Sequence, residues 1–293
     1  MTQAPTVSTF EGVGGTPITY DTYEPGPHSS SEVRGIALIT HGVAEHAGRY
    51  AHVAERLRAL GLRVVVPDHR GHGRSGGKRL VVRDLSEFTD DLETLRRRVA
   101  EPGLPTYLIG HSMGGCIALD YALDHQDDLD GLVLSAPAVL PGDDINPLMV
   151  RLAKVVGRLV PGLPGQKLSS SAVSRDPAVV AAYDADPLVH HGPLTAGIGG
   201  AMLRAMDSFP GRLPALQVPL LVLTGTADTL VKPEGAALVE RLAGSRDKTL
   251  KTYTGLFHEV FNEPEKEQVL GDLVAWLRAR LEDRPVPDSP GTR

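Results

Sequence analysis

Tyr107-Leu-Ile-Gly110-His-Ser112-Met-Gly114-Gly115-Cys-Ile-Ala-Leu119 decides the fold. Thr106 to Ile109 is a short apolar run, the pattern of a strand buried on both faces. From Met113 to Leu123 the apolar residues fall at helical spacing. The stretch spells G-x-S-x-G, and its flanks make that pentapeptide informative. A serine between strand and helix sits on a turn so tight that only small residues fit at Gly110 and Gly114. Its hydroxyl projects from the end of the sheet, above a helix N-terminus. Ser112 is the candidate nucleophile.

The same letters recur without that context. Gly73-Arg-Ser75-Gly-Gly77 also fits G-x-S-x-G, but no strand directly precedes it and no helical pattern directly follows. It reads as a glycine-rich surface loop. Gly71 to Gly76 spells G-x-G-x-x-G, yet the strand Arg63–Val66 stops at Pro67 and the next helical pattern starts only near Leu85. A dinucleotide site needs strand and helix at the two ends of that motif, so none is read here. A phosphate-binding P-loop is excluded as well, because Gly77 stands where lysine is required.

Outward from the elbow, strand and helix alternate. Thr9 to Glu24 reads as a β-hairpin around Gly14-Gly15, and Pro25 to Glu32 as a polar loop. Strands follow at Gly35–Thr40, Arg63–Val66, Thr106–Ile109 and Gly131–Leu134. Helices fall between them at Tyr50–Leu60, Leu85–Ala100 and Met113–Leu123. This spacing predicts a mostly parallel central sheet with helices on both faces. From Pro137 to Val218 no strand run occurs. Strands resume at Pro219–Thr224 and Thr249–Tyr253, with helices at Pro233–Leu242 and Pro264–Leu281. The interruption is too long for one crossover. Residues 137–217 are expected to form an inserted helical cap over a core of residues 1–136 and 218–282. The tail 283–293 carries three prolines and is expected to be disordered.

Within the cap, Leu148, Met149, Leu152, Val155, Val156, Leu159 and Val160 form a helical stripe, with Arg151, Lys154 and Arg158 opposite. Two readings stand. The helix packs its stripe on the core, or it is a lid that turns apolar and basic surface toward a lipid interface.

Composition narrows the class. Apolar content of 41% and charge of 23% are those of an ordinary globular protein. The net charge of −6 and the lack of a dense basic patch exclude nucleic acid as a partner. The single cysteine, Cys116, reads as a buried structural thiol. No signal-peptide pattern or membrane-span run is visible, so the expected compartment is cytoplasmic, with peripheral attachment to a membrane or cell envelope open.

An elbow serine needs a base and an orienting acid. In hydrolases built on such an elbow they follow in the order Ser, Asp or Glu, His. Leu220-Leu-Val-Leu-Thr-Gly-Thr-Ala-Asp228 puts Asp228 just after the strand that follows the cap. Tyr253-Thr-Gly-Leu-Phe-His258 puts His258 on the loop after the last strand, and no histidine lies downstream. Ser112, Asp228 and His258 are the candidate triad. The oxyanion donors are expected to be the backbone N–H groups of Met113, directly after the nucleophile, and of Val43, on the loop after Gly35–Thr40.

His41-Gly-Val-Ala-Glu45-His46-Ala-Gly48-Arg49-Tyr50 resembles the H-G-x-x-E-H-x-x-R-Y segment of monoacylglycerol lipases. Asp68-His-Arg-Gly-His-Gly-Arg-Ser75 and Gly110 to Gly115 are similar to later motifs of that family. Ser174-Arg-Asp-Pro177, Asp186-Pro-Leu-Val-His-His191 and Phe257-His-Glu-Val-Phe-Asn-Glu-Pro264 resemble its actinobacterial branch. The resemblance implies an α/β-hydrolase fold and cleavage of monoacylglycerol to fatty acid and glycerol, without metal or cofactor. It also implies an apolar acyl tunnel under the cap and a small polar pocket for glycerol. Glu45 and Arg49, four apart at a helix start, read either as an ion pair worth about 0.2–0.5 kcal/mol or as part of that polar pocket. Glu259, beside His258, belongs to the same rim. Two rivals remain. One is a broader carboxylesterase or lysophospholipase with the same triad. The other is a non-catalytic lipid-binding protein of this fold, against which the intact triad argues.

Overall fold

The computed structural model describes residues 4–26, 33–141 and 147–282. The stretch 27–32 of the expected polar loop and the tail 283–293 lie outside the described residues. In chain order the strands are β1 (Thr6–Glu11), β2 (Pro17–Tyr23), β3 (Gly35–Thr40), β4 (Leu62–Pro67), β5 (Thr106–His111), β6 (Gly131–Ser135), β7 (Leu220–Gly225) and β8 (Lys248–Tyr253). The helices are α1 (Ala51–Arg58), α2 (Ser86–Val99), α3 (Met113–His125), α4 (Pro147–Leu159), α5 (Pro177–Ala185), α6 (Ala196–Arg212), α7 (Pro233–Leu242) and α8 (Lys266–Glu282).

One sheet forms in the order β1-β2-β4-β3-β5-β6-β7-β8. β2 pairs antiparallel with β1 and β4, and every other pairing is parallel. β3, β5, β6 and β7 are buried along their whole length, which explains their continuous apolar runs. Successive side chains leave the sheet on opposite faces. Ile36 and Leu38 join the layer of α2, α3 and α7, whereas Ala37 and Ile39 join the layer of α1 and α8. Fully buried leucines such as Leu57 and Leu273 contribute about 1.5–3 kcal/mol each to sealing the second layer.

The chain leaves β3 for β4 on one side, then crosses back to β5 on the other. The carboxyl ends of β3 and β5 therefore flank the crevice where the winding direction changes, the usual place for a site in such sheets. β1 begins three residues before the expected Thr9. Its first residues are exposed on both faces, Val7 included, so they carry no alternation to read.

Between β6 and β7 the chain builds α4, α5 and α6. α6 packs Ile198, Ala201, Met206 and Phe209 into the apolar layer shared with α2, α3 and α7. α4 crosses α6 through small residues. A Cβ on Gly157 would lie 2.2 Å from the Ala196 carbonyl and 3.1 Å from the Gly200 Cα. Lys154 pairs with Asp207 of α6, and Arg204 of α6 donates to the Lys154 carbonyl at 2.7 Å. Leu152, Val155, Leu159 and Val160 are left exposed, at 52%, 56%, 73% and 54%. The reading in which the stripe packs on the core is thus overturned for these residues, because α4 docks through Gly157 and Lys154 instead. The side chains of Leu148 and Met149 lie outside the described residues.

The loop Gly73–Gly77 does expose Arg74 and Gly77, but the surface reading needs correction at Ser75. Ser75 is buried, its hydroxyl donating to the Asp68 carbonyl at 2.6 Å and accepting from the Thr19 N–H at 2.8 Å. The loop runs under the β1–β2 hairpin, where a Cβ on Gly76 would strike Pro17 at 2.7 Å. Glycines there serve close approach rather than exposure. Cys116 is free and buried, and burial pushes its thiol far up, which removes it as a nucleophile.

Candidate active site

Ser112 caps α3 with φ +56° and ψ −119°, a conformation that L-residues rarely adopt. Such strain costs of the order of 1–3 kcal/mol and persists only where surroundings enforce it. Here the Ser112 N–H donates to the Ser135 carbonyl at 3.0 Å, and its carbonyl accepts from Cys116 at 3.0 Å and Ala138 at 3.1 Å. The flanking glycines are required by space. A Cβ on Gly110 would come within 2.4 Å of the Gly114 carbonyl oxygen, and one on Gly114 within 2.1 Å of the Thr40 carbonyl oxygen.

Asp228 and His258 meet. His258 Nδ1 lies 2.7 Å from Asp228 Oδ2. The other carboxylate oxygen, Oδ1, accepts from the N–H groups of Leu230 and Val231 at 2.8 and 3.0 Å. With Nδ1–H held by the carboxylate, Nε2 is left as the proton acceptor. Burial works against the imidazolium, but the charge and hydrogen bond of Asp228, aided by Glu259 and Glu45, outweigh it and hold His258 above its usual range.

Ser112, His258, Val43, Glu45 and Glu259 line one cavity of about 240 Å³. Its apolar lining includes Met202, Leu203 and Met206 of α6 with Leu140, Leu194 and Val231. Ser75 does not line it. Met113, the first residue of α3, has an N–H that no carbonyl within the helix can take. Val43 follows His41 and Gly42 on the loop after β3. His41 Nε2 accepts from the His69 N–H at 2.9 Å, so its proton sits on Nδ1 and is donated to the Gly42 carbonyl at 2.7 Å. That carbonyl shares a peptide with the Val43 N–H. The hydrogen bond therefore fixes the plane of the donor from behind. Burial, only partly opposed by Asp68, lowers His41 to about 4 and keeps it neutral in this role.

Behind the polar end lies a charge cluster. Arg49 Nη1 donates to Glu45 at 2.8 Å and to Glu259 at 2.6 Å, while Nη2 reaches the second oxygen of Glu259 at 2.7 Å. Its guanidinium sits 4.7 Å from the ring centre of Tyr183 in α5. All three charged side chains are buried, so this is no surface i,i+4 pair. Glu45 and Glu259 face the cavity; Arg49 stands behind them. Burial drives Glu45 up to about 7 against the pull of Arg49. Burial raises Glu259 too, but its two hydrogen bonds from Arg49 win and hold it below the usual range.

Three neighbours escape sequence reading. His111, just before Ser112, packs its ring 4.8 Å from that of His258. Tyr183 lines the cavity from the cap. His46 Nε2 lies 2.8 Å from Asp186 Oδ2, across 140 residues of chain. His46 and Asp186 each fall in a quoted motif, but nothing local links them.

The Hydrolase_4 family model, described as serine aminopeptidase, S33, matches residues 31–265. The chain is 50% identical over 274 residues to the monoacylglycerol lipase of Mycolicibacterium smegmatis, covering 93% of this chain and 96% of that one. It is 37% identical over 254 residues to human monoglyceride lipase, covering 84% and 83%. The crystal structure of Paleococcus ferrophilus monoacylglycerol lipase superposes with a TM-score of 0.82 at 32% identity, over 90% of this chain and 99% of that one. With its elbow serine, His–Asp pair and parallel sheet, the chain belongs to the monoacylglycerol lipase family of α/β-hydrolases.

Proposed function

We propose that this protein hydrolyses monoacylglycerols, with Ser112 as nucleophile, His258 as base and Asp228 as the orienting acid. Ser112 Oγ attacks the ester carbonyl as His258 Nε2 takes its proton. Asp228 holds the tautomer and stabilises the imidazolium. The N–H groups of Val43 and Met113 take the oxyanion, each worth about 2.7–4 kcal/mol. Collapse expels glycerol, which receives its proton from His258, and leaves an acyl-enzyme. Water activated by His258 then releases the fatty acid. Residues 137–217 act as the cap that walls the acyl end.

The observation that carries the substrate is the lining of the cavity: Ser112 shares it with apolar side chains from α6 and with the carboxyl groups of Glu45 and Glu259. The carboxyl oxygens of Glu45 and Glu259 are hydrogen-bond acceptors suited to glycerol hydroxyls. The name of the Mycolicibacterium relative agrees with this reading. The exposed stripe of α4 supports transient contact of the cap with lipid. No helix among the described residues is long and apolar enough to cross a membrane, so such contact is peripheral. Rates on 1- and 2-monoacylglycerols, diacylglycerol, lysophospholipid and short p-nitrophenyl esters test the proposal. Equal or faster turnover of lysophospholipid sinks it in favour of the lysophospholipase reading, and failure of Ser112 to react with a fluorophosphonate removes the enzyme reading altogether.

A further inference from the structure

The loop after β3 carries a turn that its sequence does not favour. The Glu45 N–H closes on the Gly42 carbonyl at 3.4 Å, and Ala44, third in the turn, has φ +68°. Glycine or asparagine normally fills that position, because a Cβ there is strained. Val43, second in the turn, carries the N–H read above as an oxyanion donor. The aim of that donor depends on a turn that must be held from outside.

Two of the holds come from the cap. The His190 N–H donates to the Ala44 carbonyl at 2.9 Å. Two residues further along the loop, His46 is tied to Asp186. His46 Nδ1 accepts from the Gly48 N–H at 3.2 Å, so its proton lies on Nε2, which donates to Asp186 Oδ2 at 2.8 Å. Asp186 is itself fixed, its Oδ1 accepting from the Leu188 N–H at 2.8 Å. The segment is anchored in turn. Val189 is buried with Val173 and Tyr183 against Leu230, whose N–H holds Asp228. The Val173 carbonyl accepts from the Glu259 N–H at 2.8 Å, next to His258. One anchored piece of cap therefore reaches the oxyanion loop, the acid loop and the base loop.

We infer that cap segment 186–190 is a positioning element of the oxyanion hole, with Asp186 and His46 as positioning residues that keep the Val43 N–H on target. Unseating this half of the cap disarms the hole while the Asp228–His258 pair stays intact. The inference rests on Ser112 as nucleophile and Val43 as donor.

The test uses the full chain and a short soluble ester, p-nitrophenyl acetate, whose acyl group makes little use of the apolar wall. In Asp186→Ala and His46→Asn, kcat is expected to fall about tenfold, less than the roughly 10²–10³-fold seen when an oxyanion donor is deleted outright. KM is expected to stay within about twofold, because the lost interaction belongs to the transition state. The inhibition constant of an alkyl trifluoromethyl ketone, whose hemiketal oxyanion fills the hole, is expected to rise in step with the fall in kcat. His46→Gln keeps an N–H that reaches Asp186 and should retain more of kcat than His46→Asn, whose amide is too short. This pair decides the matter if Asp186→Ala does not fold. Wild-type kcat and ketone affinity in Asp186→Ala, or losses confined to KM for long acyl chains, overturn the proposal. Activity surviving in Ser112→Ala is a separate failure, that of the nucleophile on which the proposal rests.

Discussion

Asp228→Asn isolates the orienting acid, and the structure determines how the new amide must sit. Asp228 Oδ1 accepts from two backbone N–H groups, those of Leu230 and Val231. An asparagine must leave its oxygen there, since turning it would set an NH₂ against two donors. Its Nδ2 is therefore forced toward His258 Nδ1 at the position now occupied by Oδ2, 2.7 Å away. An N–H donor at that point makes Nδ1 the acceptor and moves the imidazole proton to Nε2. The ring then offers Ser112 a proton instead of taking one. Loss of the correct tautomer in a serine–histidine–aspartate system lowers kcat by about 10⁴, equivalent to about 5.4 kcal/mol at 1.36 kcal/mol per decade. The assay is kcat on a p-nitrophenyl ester, with fluorophosphonate labelling of Ser112 as a second readout and a melting curve to establish folding. The expected result is a folded protein that labels slowly and turns over at about a ten-thousandth of the wild-type rate. Activity within tenfold of wild type in a folded variant would falsify the assignment of Asp228 and the tautomer argument with it.

Ser112→Ala should abolish ester hydrolysis, whereas Ser75→Ala should keep activity within a few-fold while losing about 1–3 kcal/mol of stability, because it leaves the part-buried Thr19 N–H unpaired. Active Ser112→Ala or fully stable Ser75→Ala contradicts this. The acid limb of kcat/KM should centre above pH 6.5, because the carboxylates around His258 hold its proton and the base must be neutral to act; a limb centred below that value counts against the electrostatics described. Acid should destabilise the fold. Burial lowers His41 to about 4 and His72 and His111 to about 3. As pH falls below 6.5 the unfolded chain binds their protons first, so each removes about 2 kcal/mol by pH 5. Glu45, held at about 7, has the opposite sign and recovers about 2 kcal/mol over the same range. A melting temperature that does not fall between about pH 7.5 and about pH 5 refutes that balance. Leu159→Asp on α4 should slow hydrolysis of vesicle-borne monoacylglycerol and leave a soluble short ester unaffected; equal loss on both contradicts lipid contact by the stripe.

What could be read from the sequence follows from how each feature is coded. β3 and β7 are buried on both faces, so their signal is a run that needs no partner to interpret. Ser112, Asp228 and His258 are each singled out in the sequence by a break after a strand, where the chain must turn. β1 was blurred because neither face is buried at its start. The burial of Ser75 was hidden because its partners, Thr19 and Asp68, come from another strand and another turn. The charge cluster was half legible. Glu45 and Arg49 are four apart, but the bidentate partner of Arg49 is Glu259, 210 residues on. The reading as a helix-start ion pair undervalues it, since one arginine is shared by two buried carboxyl groups.

α4 shows why a correct pattern can leave its meaning open. The apolar stripe was plain in the sequence, and a periodicity argument alone puts such a stripe against the core. That step assumes that the largest apolar side chains make the contact. Close approach of two helices is also served by small ones, and here a Cβ on Gly157 would lie 2.2 Å from the Ala196 carbonyl oxygen, closer than real Cβ atoms come. Docking through the glycine face turns Leu152, Val155 and Leu159 outward. The same cap thus has two unlike halves. The half around Val173, Tyr183 and Val189 is anchored on the loops that carry Val43, Asp228 and His258, and the half built on α4 presents apolar surface to its surroundings. Under the function proposed above, a cap divided in this way would rest α4 on a lipid surface while its anchored half holds the loops of Val43, Asp228 and His258 in register.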